Sequence, residues 1–388
     1  MKLDIAITYE SVLPSRGGCE TYIADLCHLL VADRHTVHLY AVKYDPEALP
    51  PQVRPHLLPA PRGPRCWRPW AFARACRAAL RGQHHDVVIG LVKTLEQDVL
   101  MVQGGFHRAS ADANVAKHAA GWKRAAAWLV QRLNPAYWSY CWLESRQLAA
   151  GPLVVAPSHW VAGHAERYYG LEASQVRVVP NAIPEARVLA TDRPRRRTAL
   201  REQLGIAPTD VAALFSGHNY RLKGLEPLLR AVARTPCPQL HLLVCGNPHV
   251  APWRRLAMKL GLQGRVHFLG FLPDMRDGYF AADLLVHPSF YDPCALVTLE
   301  ALACGLPVIT TRTNGAHELL PPELAAWTVA TGHDVVGLAR SLEQLCDPQR
   351  RVESARAARA AAAAWTMQDH YRALLAVLRE AAARKRAA

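Results

Sequence analysis

With 388 residues, 51% of them hydrophobic and 20% charged, the chain is long enough for two domains of ordinary size and too apolar to be disordered. Uncharged apolar runs stay short of the roughly 18 residues a membrane-spanning helix needs. A formal net charge of +14 favours anionic partners, whether a phosphorylated ligand, an acidic membrane surface or nucleic acid, without choosing among them.

In chain order, Met1 to Thr8 reads as a short strand with an acid at position 4, not as a signal peptide. Further strands are expected near 36–42, 86–91, 98–103 and 153–156. A second set follows near 211–216, 240–245, 266–269, 284–287 and 307–311. Helix-like segments separate them, so the fold class is α/β with two doubly wound parallel sheets. The boundary falls near Val178-Val179-Pro180-Asn181-Ala182-Ile183-Pro184, and the charged run Asp192 to Arg197 after it reads as a solvated connector. This divides the chain into domains 1–180 and 181–355 and an Ala- and Arg-rich helical tail, 356–388. Ten cysteines are scattered with no Cys-x-x-Cys, as expected of reduced core thiols in a cytosolic protein, not of a disulfide frame or zinc site.

Three motifs carry chemistry. Pro14-Ser15-Arg16-Gly17-Gly18-Cys19-Glu20 follows the first strand and leads into a helix over 21–30. Paired glycines let backbone approach a ligand, and a helix start offers free N–H groups to an anion. The spaced Gly-x-Gly-x-x-Gly of dinucleotide enzymes is absent, which weakens a hydride-transfer reading. Ser216-Gly217-His218-Asn219-Tyr220-Arg221-Leu222-Lys223-Gly224 again follows a strand, and Arg221 and Lys223 suit a diphosphate, one as a fork and one as a point charge. The third motif runs from Tyr291-Asp292-Pro293-Cys294 through Glu300 to Gly305-Leu306-Pro307. Asp292 before Pro293 is an ordinary helix cap. Glu300 lies in an apolar helical pattern, where a carboxylate pairs with an internal arginine or accepts two ribose hydroxyls.

Together with Cys245-Gly246 and the Pro180-Asn181-Ala182-Ile183 hinge, these motifs resemble the retaining nucleotide-sugar glycosyltransferases of family 4 along nearly the whole chain. The loops at 219–224 and 291–294 are most similar to bacterial lipopolysaccharide-core glycosyltransferases. The resemblance implies the GT-B fold: two Rossmann-like domains facing a cleft, acceptor in the first and donor in the second, with the C-terminal helix crossing back to the first. It implies that Gly17 and Gly18 face the donor diphosphate and acceptor, and that Arg221 and Lys223 hold the diphosphate. Asp292 would meet sugar hydroxyls, and the amides near Ala295 and Leu296 would cradle phosphate. Glu300 would bind ribose, with Gly217, Asn219 and Cys294 completing the donor site. His107, after a strand of the first domain, would lie near the reacting sugar, and Arg108 beside it would take an acceptor phosphate. The chain departs from the family in carrying Asp292 where glutamate is usual and His218 where arginine commonly follows the loop glycine.

The expected activity is transfer of a hexose, glucose by this resemblance, from a nucleoside-diphosphate sugar such as a UDP-sugar to a lipid-linked saccharide, with retained configuration. Absence of Asp-x-Asp carries no implication of a metal, and no cofactor is expected. Basic segments rich in tryptophan at 62–74 and 121–142 suit an anionic membrane surface, giving a peripheral protein on the inner face of the cytoplasmic membrane. No nucleic-acid motif accompanies them. The alternatives are another glycan or glycolipid transferase, a phosphorylase or synthase on the same fold, and a catalytically idle nucleotide-sugar binder.

Overall fold

A computed structural model describes residues 2–387. The chain forms two compact units, Met1–Pro180 with Gln368–Ala388, and Asn181–Met367.

The first unit is built on seven parallel strands: β1 (Asp4–Thr8), β2 (Thr36–Ala41), β3 (Arg54–Leu57), β4 (Val87–Gly90), β5 (Val99–Met101), β6 (Leu153–Ala156) and β7 (Val176–Val178). Their order is β3-β2-β1-β4-β5-β6-β7. Strands this apolar on both faces need cover on both. One face buries Ile5, Ile7, Val37 and Leu39 under the helix Gly18–Ala32, and the other buries Ala6, Tyr40 and Val88 under the helix Arg68–Leu80. The C-terminal helix Met367–Ala387 completes the first of these layers. Its side chains at 371, 374, 375, 378 and 382 recur at helical spacing and are buried with Leu3 and Val155. Tyr22 and His370 tie it in place through a 2.8 Å hydrogen bond.

The second unit holds β8 (Val211–Gly217), β9 (Leu240–Gly246), β10 (Val266–Gly270), β11 (Leu284–His287), β12 (Val308–Thr311) and β13 (Thr328–Val329), ordered β10-β9-β8-β11-β12-β13. All pairings are parallel. In both sheets the chain order reverses beside the first strand, between β1 and β4 and between β8 and β11, and such switch points open a crevice at the carboxyl ends.

Two expectations are corrected here. The tail does not begin at 356: the helix Pro348–Ala364 packs on Leu296–Ala303 in the second unit through Ala358, and the return to the first unit starts at Gln368. Nor is 192–197 a solvated connector. It opens the helix Arg193–Gln203, whose Arg196 bonds Asp274 and Asp277 at 2.8 Å and whose Arg197 and Arg201 hold Asp283 at 2.7 and 3.1 Å. Acids in and flanking the helix Met275–Ala281 make these arginines structural. All ten cysteines are free thiols, seven of them buried.

Candidate active site

The site of the second unit lies where β8 and β11 end on either side of the switch point. After β8 the loop 218–224 turns tightly into the helix Leu225–Arg234. Gly224 makes the turn possible: its φ is +82°, and a Cβ there would overlap the Pro288 carbonyl. The turn lays Lys223 back over Gly217, where a Cβ would stand 3.0 Å from the Lys223 Cγ. From the other strand, His287 is followed by the loop that carries Asp292. That backbone is pinned, the Asp292 amide donating to the Thr313 carbonyl (2.9 Å) and its carbonyl accepting from Gly315 (2.8 Å).

Lys223 Nζ thereby lies 2.5 Å from Asp292 Oδ2, and His287 Nε2 lies 3.0 Å from the same oxygen. Burial opposes the Asp292 charge, but Lys223 and His287 outweigh it and bring the carboxyl from 3.8 down to about 2. Burial also holds the His287 imidazole below the ordinary histidine value, against the pull of Asp292. The result is a lysine ammonium anchored by a carboxylate that a buried imidazole also holds, on two short loops just beyond the strand ends.

Asp292 is therefore not a helix cap. The helix it precedes runs Leu296–Ala303, with Ala295 in the cap position and no side-chain cap bond. The capping work falls to Asn314, which is fully buried. Its Oδ1 accepts from the Ala295 and Ala316 amides (3.1 Å each), and its Nδ2 donates to Thr298 and Thr310 (3.0 Å each). The Ala295 amide is thus already bonded, so any phosphate cradle at this helix start rests on the amides after it, beginning with Leu296. Cys294 is buried and its carbonyl accepts from Asn181 Nδ2 at 3.2 Å.

Glu300 is half-buried and meets both an arginine and a phenol: Arg187 Nη1 at 3.3 Å and Tyr279 Oη at 2.5 Å. A carboxylate offers about four lone-pair positions, so two hydroxyl donors remain compatible with these bonds. Arg221 is exposed on its loop, and Asn219 uses its side-chain carbonyl to accept from the Leu222 amide at 3.2 Å.

The other expected residues belong to the first unit. Gly17 is extended and caps the helix Gly18–Ala32, which begins three residues earlier than its pattern predicts and takes in Gly18. His107 begins the helix His107–Ala116 after β5, and its amide donates to both oxygens of Glu144 at 3.0 Å. Glu144 is fully buried and also meets Lys93 and Tyr169 Oη. Burial lowers the His107 pKa, its ring stacks on Tyr140 (4.9 Å), and its Nε2 is buried without a hydrogen-bond partner. Arg108 lies over the Tyr169 ring at 5.1 Å and donates to the Tyr168 carbonyl at 3.4 Å.

Sequence reasoning missed His287, Asn314, Tyr279 and Glu144. His287 left a usable signal, a histidine closing an apolar strand just before the Asp292 loop. Asn314 left only the local signal of a cap for the short helix Gly315–Leu319, not its reach to Ala295, and Tyr279 and Glu144 left none, because their partners lie at least 21 residues away in the chain.

Two family models cover the chain: Glycosyltransferase Family 4 over residues 16–187, and Glycosyl transferases group 1 over 196–365. A probable transglycosylase of Burkholderia thailandensis is 31% identical over 355 residues, 89% of this chain and 88% of that protein. The chain belongs to glycosyltransferase family 4. This family 4 glycosyltransferase is also 32% identical to the lipopolysaccharide glucosyltransferase WaaG of Escherichia coli K12 over 156 residues, 39% of this chain and 42% of WaaG. The crystal structure of WaaG, a glycosyltransferase involved in lipopolysaccharide biosynthesis, superposes with a TM-score of 0.77 at 22% identity, covering 97% of this chain and 98% of that one. Anabaena HepE, solved in complex with UDP-glucose, gives 0.71 at 19% identity and full coverage of both chains. The fold is therefore GT-B.

Proposed function

We propose that this glycosyltransferase moves a hexose, glucose in the first instance, from a UDP-sugar to a lipid-linked saccharide in lipopolysaccharide core assembly. The anomeric configuration is retained and no metal or cofactor takes part. The observation that carries this reading is the Lys223–Asp292–His287 group at the switch point of the second unit. An ammonium held in place before the reaction stabilises charge that develops on a departing diphosphate without reorganising. Arg221, exposed beside it, adds a second cation. No residue here is nominated as a covalent nucleophile. In the proposed step the acceptor hydroxyl attacks the anomeric carbon on the face the diphosphate leaves, and the leaving phosphate takes the hydroxyl proton. Glu300 accepts the two ribose hydroxyls of the donor, and Asp292 accepts from the sugar. The likeness to WaaG supports the lipopolysaccharide context, and the likeness to HepE, solved with UDP-glucose, supports the UDP-sugar donor.

A thermal-shift and turnover panel of UDP-, GDP- and ADP-sugars tests the reading. UDP-sugars are expected to raise the melting temperature, since a ligand at 100 Kd adds about 2.7 kcal/mol, and Glu300→Ala should lose that shift. A shift with GDP-sugars alone would remove the base assignment. Binding without turnover of any donor would favour the idle binder, and an unchanged shift in Glu300→Ala would end its ribose role.

The acceptor's lipid implies a membrane. None of the described residues lies in a helix long and apolar enough to cross one. The helix Trp122–Leu133 suits contact at the surface instead. None of its residues is buried, and Trp122, Trp128, Leu129, Val130 and Leu133 are exposed alongside Lys123 and Arg124. The chain is expected to sediment with phosphatidylglycerol vesicles and not with phosphatidylcholine, on the inner face of the cytoplasmic membrane in the cell. Trp122→Ser with Leu133→Ser should abolish the sedimentation, and equal sedimentation of that variant would exclude this helix.

A further inference from the structure

The first unit gathers imidazoles at a place the proposed transferase function does not use. Asp4 opens β1, and Ala6 on the same face of that strand pairs with His38 of β2. Two residues on, Tyr40 pairs with His56 of β3. His85 arrives from the turn that precedes β4. Period-two alternation puts Asp4, His38, Tyr40 and His56 on one face of the sheet. The cluster sits toward the amino ends of the strands, whereas open α/β sheets bind substrate at the carboxyl ends.

Asp4 Oδ1 lies 2.5 Å from His85 Nδ1, and Asp4 Oδ2 lies 3.4 Å from His38 Nε2. One ligand atom from each of the three residues falls within 4.8 Å of the others. His38 is 8% exposed, and its Nε2, facing Asp4, is a buried atom with no hydrogen-bond partner. That orphan nitrogen is the informative feature, because buried polar atoms are almost always satisfied.

We propose that Asp4, His38 and His85 form a zinc-binding site, with one carboxylate oxygen and two imidazole nitrogens as protein ligands. The far nitrogen of each imidazole is already held, as metal-ligating histidines require. His38 Nδ1 is 2.8 Å from His56 Nε2, and His85 Nε2 is 2.8 Å from Tyr40 Oη. With Asp4 ionised, His85 Nδ1–H donates to it and Nε2 accepts from Tyr40. Zinc takes the Nδ1 lone pair, the proton moves to Nε2, and the same contact with Tyr40 then runs the other way.

Tetrahedral zinc with bonds near 2.0–2.1 Å spaces its ligands by about 3.3 Å. The His38–Asp4 separation matches this spacing. The His85–Asp4 pair must open by about 1 Å, which the Asp4 carboxylate permits because its side chain is 34% exposed. The same opening leaves a coordination position toward solvent for water. Bound zinc would clamp β1, β2 and the turn before β4, a structural role that leaves sugar transfer metal-independent.

The test uses the untagged full chain, stripped with chelator and titrated with zinc chloride against a chromophoric competitor. One equivalent per chain is expected at micromolar affinity or tighter, with a rise in melting temperature. Asp4→Asn and His38→Gln should each lose at least tenfold in affinity, and His56→Phe, which keeps a ring for stacking, about 10–100-fold. His28→Ala, an exposed histidine elsewhere, should lose nothing. If a variant fails to fold, cobalt(II) added to the wild type decides: visible d–d bands of a tetrahedral nitrogen–oxygen site support the proposal. No stoichiometric zinc in the wild type, zinc bound equally by folded Asp4→Asn and His38→Gln, or an octahedral cobalt spectrum would each overturn it.

Discussion

Lys223→Ala is expected to lower turnover by about 10²–10³-fold, a loss of roughly 2.7–4 kcal/mol of transition-state stabilisation, as when one preorganised donor is removed from a charge-stabilising site. The size follows from how the ammonium is held. Asp292 holds it from a loop whose backbone is pinned to Thr313 and Gly315, so its alignment with a departing diphosphate costs no ordering at the moment of reaction. Lys223→Arg should restore little, because a planar guanidinium fork differs in geometry from the point charge of an ammonium. Steady-state kinetics with saturating donor check this. A fall smaller than about tenfold in kcat would remove Lys223 from the chemistry. A large rise in KM at constant kcat would make it a binding residue only.

Glu144→Ala should be the most destabilising of the substitutions considered, by about 3–5 kcal/mol, because it leaves the Lys93 charge beside a fully buried position without its partner. The His107 amide and the Tyr169 hydroxyl lose their acceptor in the same change. For a unit of this size the melting temperature should fall by on the order of 10 °C. Tyr169→Phe removes one bond and leaves the ion pair, so its cost should stay near 1 kcal/mol. Thermal unfolding followed by circular dichroism measures both, and equal shifts would mean that the Lys93–Glu144 charges are not what holds the start of the His107 helix.

The strands of both sheets were legible because each is an apolar run bounded by turn residues, and this signal needs only neighbours in sequence. The cationic loop was legible for a related reason: Gly217, Lys223 and Gly224 are all within one turn. Arg193–Gln203 was misread because a run of arginines looks solvated until Asp274, Asp277 and Asp283 are brought to it. The C-terminal tail was misplaced by the continuous Ala and Arg composition of 348–364 and 367–387, which hides the break between two helices serving different units.

Sequence alone therefore determined the α/β class, the family and the cationic loop, since propensity, periodicity and motif spacing are local properties. Only the tertiary structure decided what the acids do. Asp292 carries its own cap signal in Pro293, yet Lys223, 69 residues before it, and His287 at a strand end turn it into the counter-charge of the site. Glu300 meets Arg187, 113 residues away, and Tyr279. A carboxylate's role is set by which opposite charge reaches it and how much water is removed, and both depend on packing that no local pattern records.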